Sequence, residues 1–261
     1  MELVTKTNIN TNSSFVTETE IKSNNNDKAY KFFVKAETLR GNNEFKLSIS
    51  EYLKSIFLDR KNPQTMLGLA IAYKNIQNYE KAIKYFEKAK ELCDNNFEIY
   101  YHLGITQLVL NRPEDAVSNL QKAIMLNKKH LNSQIQLALA HELMQETDMA
   151  LAIYQKIIDE TPAFLTAYNH KAALLMSLEN YTDAAVLFHS ILKINPDFYR
   201  AYLGIALCFD KLHRTQDAIR YYNKYIEAKP NTINVKRIMQ RLRELKENKY
   251  SCNNTGYLSL V

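Results

Sequence analysis

Residues 63–96 read PQTMLGLAIAYKNIQNYEKAIKYFEKAKELCDNN, and residues 97–130 read FEIYYHLGITQLVLNRPEDAVSNLQKAIMLNKKH. Laid one beneath the other, the two 34-residue segments align Ala70 with Gly104, Ala82 with Ala116 and Phe86 with Leu120. The same period runs outward without insertion, giving units 29–62, 63–96, 97–130, 131–164, 165–198 and 199–232, and an incomplete seventh from Ile233. Self-similarity at a fixed period of roughly 20–50 residues marks a fold built from stacked supersecondary units, so this reading precedes every other.

Two positions of the unit are small throughout. The eighth is Ala36, Ala70, Gly104, Ala138, Ala172 and Ala206, and the twentieth is Ser48, Ala82, Ala116, Ala150, Ala184 and Ala218. Two helices approach closely only where their facing side chains are minimal, and a bulky residue at such a contact would overpack it by about 1–3 kcal/mol. The twenty-fourth position supplies the filling residue instead: Tyr52, Phe86, Leu120, Tyr154, Phe188 and Tyr222. Polar turns such as Asn42-Asn43, Gln77-Asn78, Arg112-Pro113 and Glu179-Asn180 separate the two helices of a unit. Pro162, Pro196 and Pro230 mark the ends of the last three units, where Arg60, Asp94 and Lys128 stand in the earlier ones.

With these columns in view, residues 29–232 resemble the tetratricopeptide repeat family. The resemblance is specific because several columns agree in each unit at one spacing. Departures are the lack of tryptophan at the fourth position, Gln134 there in the fourth unit, and Gln107 and His141 where an aromatic is usual at the eleventh. The resemblance implies an all-α fold: a right-handed α-solenoid of six 34-residue helix-turn-helix repeats with a groove lined by the first helix of each. No unit of such a stack is stable alone, because each buries its apolar face on its neighbours.

The ends fit that expectation. Ile233, Ile238, Leu242 and Leu245 form an apolar stripe within 233–249, among Lys236, Arg237, Arg241, Arg243, Lys246 and Lys249, which predicts a C-terminal capping helix. Residues 1–28, rich in Thr, Asn and Ser, are expected to form a flexible polar tail, and residues 250–261 a second one. Phe15, Val16 and Ile21, or Tyr257 to Val261, are the tail residues with apolar groups to cover a groove.

The net charge of +6 could suggest nucleic acid, but residues 29–232 hold 25 basic and 22 acidic groups, whereas 233–261 hold 6 and 2. The cationic excess is therefore mostly C-terminal, in the predicted cap, which lacks interleaved aromatic residues, and nucleic acid is disfavoured. Cys93, Cys208 and Cys252 are odd in number and without metal-ligand spacing. A reducing, cytoplasmic setting without disulfides, metal or cofactor is expected. The N-terminus shows no basic start followed by an apolar core, and no apolar run reaches the roughly 18 residues of a membrane span.

Catalysis has no sequence support. His102 and His170 share the sixth position of units two apart and are read as polar groove or surface residues, with His130, His141, His189 and His213 as loop, packing or surface residues. The expectation is a non-enzyme that holds another protein or a peptide segment. In the resembling family, the fifth, ninth, twelfth and thirteenth positions of the first helices face the ligand. Here they supply Leu67, Ile71, Tyr101, Ile105, Leu108, Ile135 and Leu139, with Asn169 an isolated polar substitution. Family members that grip acidic chaperone tails carry lysine and asparagine at the fifth and ninth positions. This chain has Phe33 and Glu37 there in its first unit, which rejects that clamp. Two alternatives stay open: these side chains pack between adjacent first helices, or the chain is a non-catalytic accessory subunit that positions an enzyme.

Overall fold

The computed structural model describes residues 18–231 and 233–254, with side chains described for 25–231 and 233–247. The expected tail segments 1–17 and 255–261, and the side chain of Ile21, lie outside the described residues. The described residues form thirteen α-helices and no strand. They are α1 (Glu18–Gly41), α2 (Phe45–Leu58), α3 (Pro63–Asn75), α4 (Tyr79–Leu92), α5 (Phe97–Val109), α6 (Pro113–Leu126), α7 (Leu131–Leu143), α8 (Thr147–Glu160), α9 (Leu165–Ser177), α10 (Tyr181–Ile194), α11 (Tyr199–Lys211), α12 (Thr215–Ala228) and α13 (Val235–Asn254). Sequence neighbours pack in pairs, α1 with α2 through α11 with α12. The chain divides into two compact units, one ending at Lys128 and one beginning at Lys129.

The small and large positions account for the pairing. Every alanine or serine of the eighth and twentieth positions is fully buried, and the residues of the twenty-fourth are at most 5% exposed. At Gly104, the eighth-position glycine, a Cβ would lie 2.7 Å from Leu120 Cγ of the paired helix α6, so the helices approach closer than even alanine allows. In the unit ending at Lys128, Tyr52, Leu69, Phe86, Ile99 and Leu103 anchor one apolar core. In the other, Tyr154, Ile157, Phe188, Ile191 and Ile205 anchor a second.

Each pair turns on the same backbone device. Asn43, Gln77, Asn111, Gln145, Glu179 and His213, all at the fifteenth position, have φ between 55° and 64°. The next residue donates its N–H five residues back, as from Asn78 to the Tyr73 carbonyl at 2.9 Å, closing the helix end with a left-handed residue. Side-chain caps start several helices: Asn62 accepts from Thr65 N at 3.1 Å and Asn78 from Lys81 N at 3.2 Å. Second helices end at one position whether or not proline follows, since Asp59, Cys93 and Asn127 leave helical geometry just as Thr161 and Asn195 do before Pro162 and Pro196.

Polar residues at the eleventh position are buried and satisfied. Gln107 accepts from Asn119 at 2.9 Å, and the His141 imidazole lies 2.5 Å from Glu146.

Both ends differ from expectation. Residues 18–28 continue α1 where a flexible tail was expected, because no proline or glycine interrupts the chain before Gly41. The buried Ser55 hydroxyl ties the helix down by donating to the Ala29 carbonyl at 2.8 Å. At the other end, α13 begins at Val235 and runs past residue 249 to Asn254. Ile233 is 96% exposed and not part of the apolar stripe; Val235 takes its place beside the buried Ile238, Leu242 and Leu245.

Candidate peptide-binding site

The sequence-predicted site residues fall in both compact units. In the first, α3 and α5 touch. On α3, Leu67 is only 3% exposed and belongs to the core, whereas Ile71, one turn on, is half-buried. On α5, Tyr101, Ile105 and Leu108 are all half-buried and follow helical spacing along one face. Leu67 therefore packs between helices, and the other four offer apolar surface.

A charged group stands beside this strip. Lys74, one turn beyond Ile71, places Nζ 3.2 Å from His102 Nδ1, and an ammonium there can only donate to the ring nitrogen. Burial pushes the Lys74 pKa down, and no carboxylate lies within ion-pair distance of it among the described residues. The His102 ring stacks on Phe86 at 6.1 Å and tilts against Tyr101 at 5.1 Å. His102 is thus a packed acceptor for a half-buried lysine rather than a free surface group.

In the second unit, Ile135 is 2% exposed and is part of the core, while Leu139 and Asn169 are half-buried. His170 repeats the arrangement of His102: its ring stacks on Tyr154 at 5.9 Å, and burial lowers its pKa. Cys208 is fully buried, which raises its thiol to about 11 and leaves it unreactive at neutral pH.

A set of anchors escaped the sequence reading. Where the twenty-fourth residue is tyrosine, its hydroxyl meets a carboxylate from the first helix of the same pair. Tyr52 bonds Glu37 and accepts from Arg40 Nε at 3.1 Å; Tyr154 donates to Glu142 at 2.5 Å; Tyr222 donates to Asp210 at 3.0 Å. Burial, then the acceptor carboxylate, raises the phenol pKa in all three. The signal was present: Glu142 and Asp210 share the twelfth position, which is Lys, Leu or Met in the units whose twenty-fourth residue has no hydroxyl.

Asp210 also fixes the last helix. Arg241 donates to both of its oxygens, at 2.8 and 2.9 Å, and holds the carboxyl below its usual pKa against burial. Between α11 and α13 this leaves an open pocket of about 740 Å³. Leu203, Leu207 and Ile238 supply apolar lining, and Lys211, His213 and Arg237 are among its polar residues. Leu203 and Leu207 occupy the fifth and ninth positions of their unit, and Arg237 and Arg241 the same positions of the incomplete one.

Residues 63–96, 97–130, 133–162 and 175–242 each match the sequence pattern of the tetratricopeptide repeat. Among characterised proteins, human protein O-mannosyl-transferase TMTC3 is 28% identical over 162 residues, covering 57% of this chain and 17% of the transferase. The chain spans between 17% and 34% of the length of four curated relatives it matches. Among solved structures, the C-terminal part of a repeat-containing protein from Cytophaga hutchinsonii superposes with a TM-score of 0.73 at 20% identity, covering 85% of this chain and 88% of that one. YrrB, described as a repeat protein with an unusual peptide-binding site, gives 0.53 at 16% identity, covering 72% and 97%. These likenesses show the fold.

Proposed function

The chain belongs to the tetratricopeptide repeat family, and on that premise we propose that it is a protein-interaction scaffold or chaperone-like adaptor whose first helices receive a polypeptide segment. The observation that carries the reading is the strip of Ile71, Tyr101, Ile105 and Leu108 on the touching helices α3 and α5, with Lys74 beside it. Half-buried apolar side chains next to a lysine that forms no ion pair among the described residues suit a partner that brings apolar groups and a carboxylate. The apolar contacts would supply affinity, and the ion pair would fix register. Leu139 and Asn169 extend the proposal to the second unit.

The test is capture of partners from native lysate by the full chain and by Ile71→Asp/Ile105→Asp. Each new carboxylate would have to be desolvated against a bound segment, so capture should fall strongly, while helix content and melting temperature change less than in Phe188→Ala. If the double variant unfolds and Phe188→Ala does not, the strip is ordinary core and the proposal fails.

A second reading, a non-catalytic accessory subunit that positions an enzyme, draws on the match to a stretch of a transferase. A stoichiometric enzyme in the captured fraction would favour it.

A further inference from the structure

We propose that the pocket between α11 and α13 binds an acidic peptide segment of a partner protein, seating an apolar side chain on Leu203 and Leu207 and pairing neighbouring carboxylates with Lys211 and Arg237. The inference rests on the reading of the chain as a peptide-binding scaffold and adds the chemistry of the peptide.

Three observations support it. The pocket, at about 740 Å³, is large enough for a side chain and the backbone that carries it. Its lining combines aliphatic residues with cations, and the one carboxylate among its described lining residues is already engaged: Asp210 accepts from Arg241 through both oxygens and from Tyr222. Lys211 and Arg237 are exposed, line the cavity and form no ion pair among the described residues, with the Asp210 carboxylate attracting Lys211 only at longer range, and His213 at the turn after α11 lines the same cavity.

The third observation is positional. In the unit that ends at the cap, the fifth and ninth residues change from Leu203 and Leu207 to Arg237 and Arg241. Arg241 is committed to Asp210 and Glu244 and thereby fixes α13, which leaves Arg237, one turn earlier, to meet a ligand. A bare inorganic anion would leave the aliphatic lining exposed to water, and a purely apolar segment would desolvate the cations without return. A peptide that carries both leucine-like and acidic side chains satisfies both surfaces.

The experiment uses the full chain and two fluorescein-labelled peptides, one of alternating leucine and glutamate and one of alternating leucine and glutamine, read by fluorescence anisotropy. The glutamate peptide should bind at least about tenfold more tightly, and the preference should shrink as salt rises. Lys211→Glu/Arg237→Glu should abolish or reverse the preference with circular dichroism unchanged, since both side chains are exposed. Equal affinity for the two peptides, absence of binding, or an unchanged preference after charge reversal would each overturn the proposal. Ile71→Asp/Ile105→Asp carries an intact pocket and should keep the preference whether or not it still captures partners. Its capture result therefore judges the strip on α3 and α5, and the charge-reversed variant judges the pocket.

Discussion

Gly204, inside α11, has no room for a side chain: a Cβ there would stand 2.6 Å from Cε2 and Cζ of Phe188 on α10. Phe188 is 5% exposed and packs in the core of its unit. Gly204→Ala should therefore overpack by about 1–3 kcal/mol, offset by about 1 kcal/mol of improved helix propensity. Phe188→Ala alone should cost about 3–5 kcal/mol by leaving a cavity. In the double variant the ring is gone, the new methyl enters vacated space, and the propensity gain remains. Its cost should fall to about 2–4 kcal/mol, below that of Phe188→Ala, giving a coupling of about 1–3 kcal/mol between the sites. Urea unfolding of the full chain followed by circular dichroism gives the order of the four proteins, and amide exchange in α10 and α11 reports the same change locally. If the two substitutions simply add, the ring does not dictate the glycine, and the account of α10–α11 packing is refuted.

Two further outcomes follow from the turns and the cap. Replacing Gln77 or Glu179, both at φ 61°, by glycine should stabilise by about 1 kcal/mol, seen as a higher melting temperature, because a side chain in the left-handed region is strained. Asp210 has a folded pKa below its unfolded value, so its contribution is complete above about pH 4 and is lost as pH falls through the lower folded value. Protection factors for amide exchange in α13, taken against the slower intrinsic exchange in acid, should fall on acidification in the wild type, and Asp210→Asn should show that loosening already at neutral pH.

The columns of small and large residues were legible because volume is a property of residue type, and a fixed period repeats it. Leu67 and Ile135 were harder to place. Their residue type suits a core and a ligand surface equally, and only the neighbouring helix, which buries both, decides between them. Gly68 and Gly204 sit at the sixth position, two places from the small column, because each faces the large ring of the preceding pair, Tyr52 or Phe188. His102 and His170 share that position and stack on the corresponding rings, a relation across pairs that column reading within a unit passes over. The cap was legible as an amphipathic helix. Which apolar residue starts it depends on the backbone ahead of α13, which exposes Ile233 and buries Val235. Arg237 reads as a solvated charge until it is counted one period after Leu203. The division after Lys128 has no signature in composition, since the period crosses it unbroken.

The left-handed residue at each turn is held by main-chain bonds, and its identity runs through Asn, Gln, Glu and His without altering the shape. These positions are accordingly free sites for innovation: a side chain can be exchanged at the lip of a hairpin while the buried columns stay untouched. His213, which stands at such a turn and lines the pocket between α11 and α13, is a position where one exchange would reshape a cavity wall without renegotiating the fold.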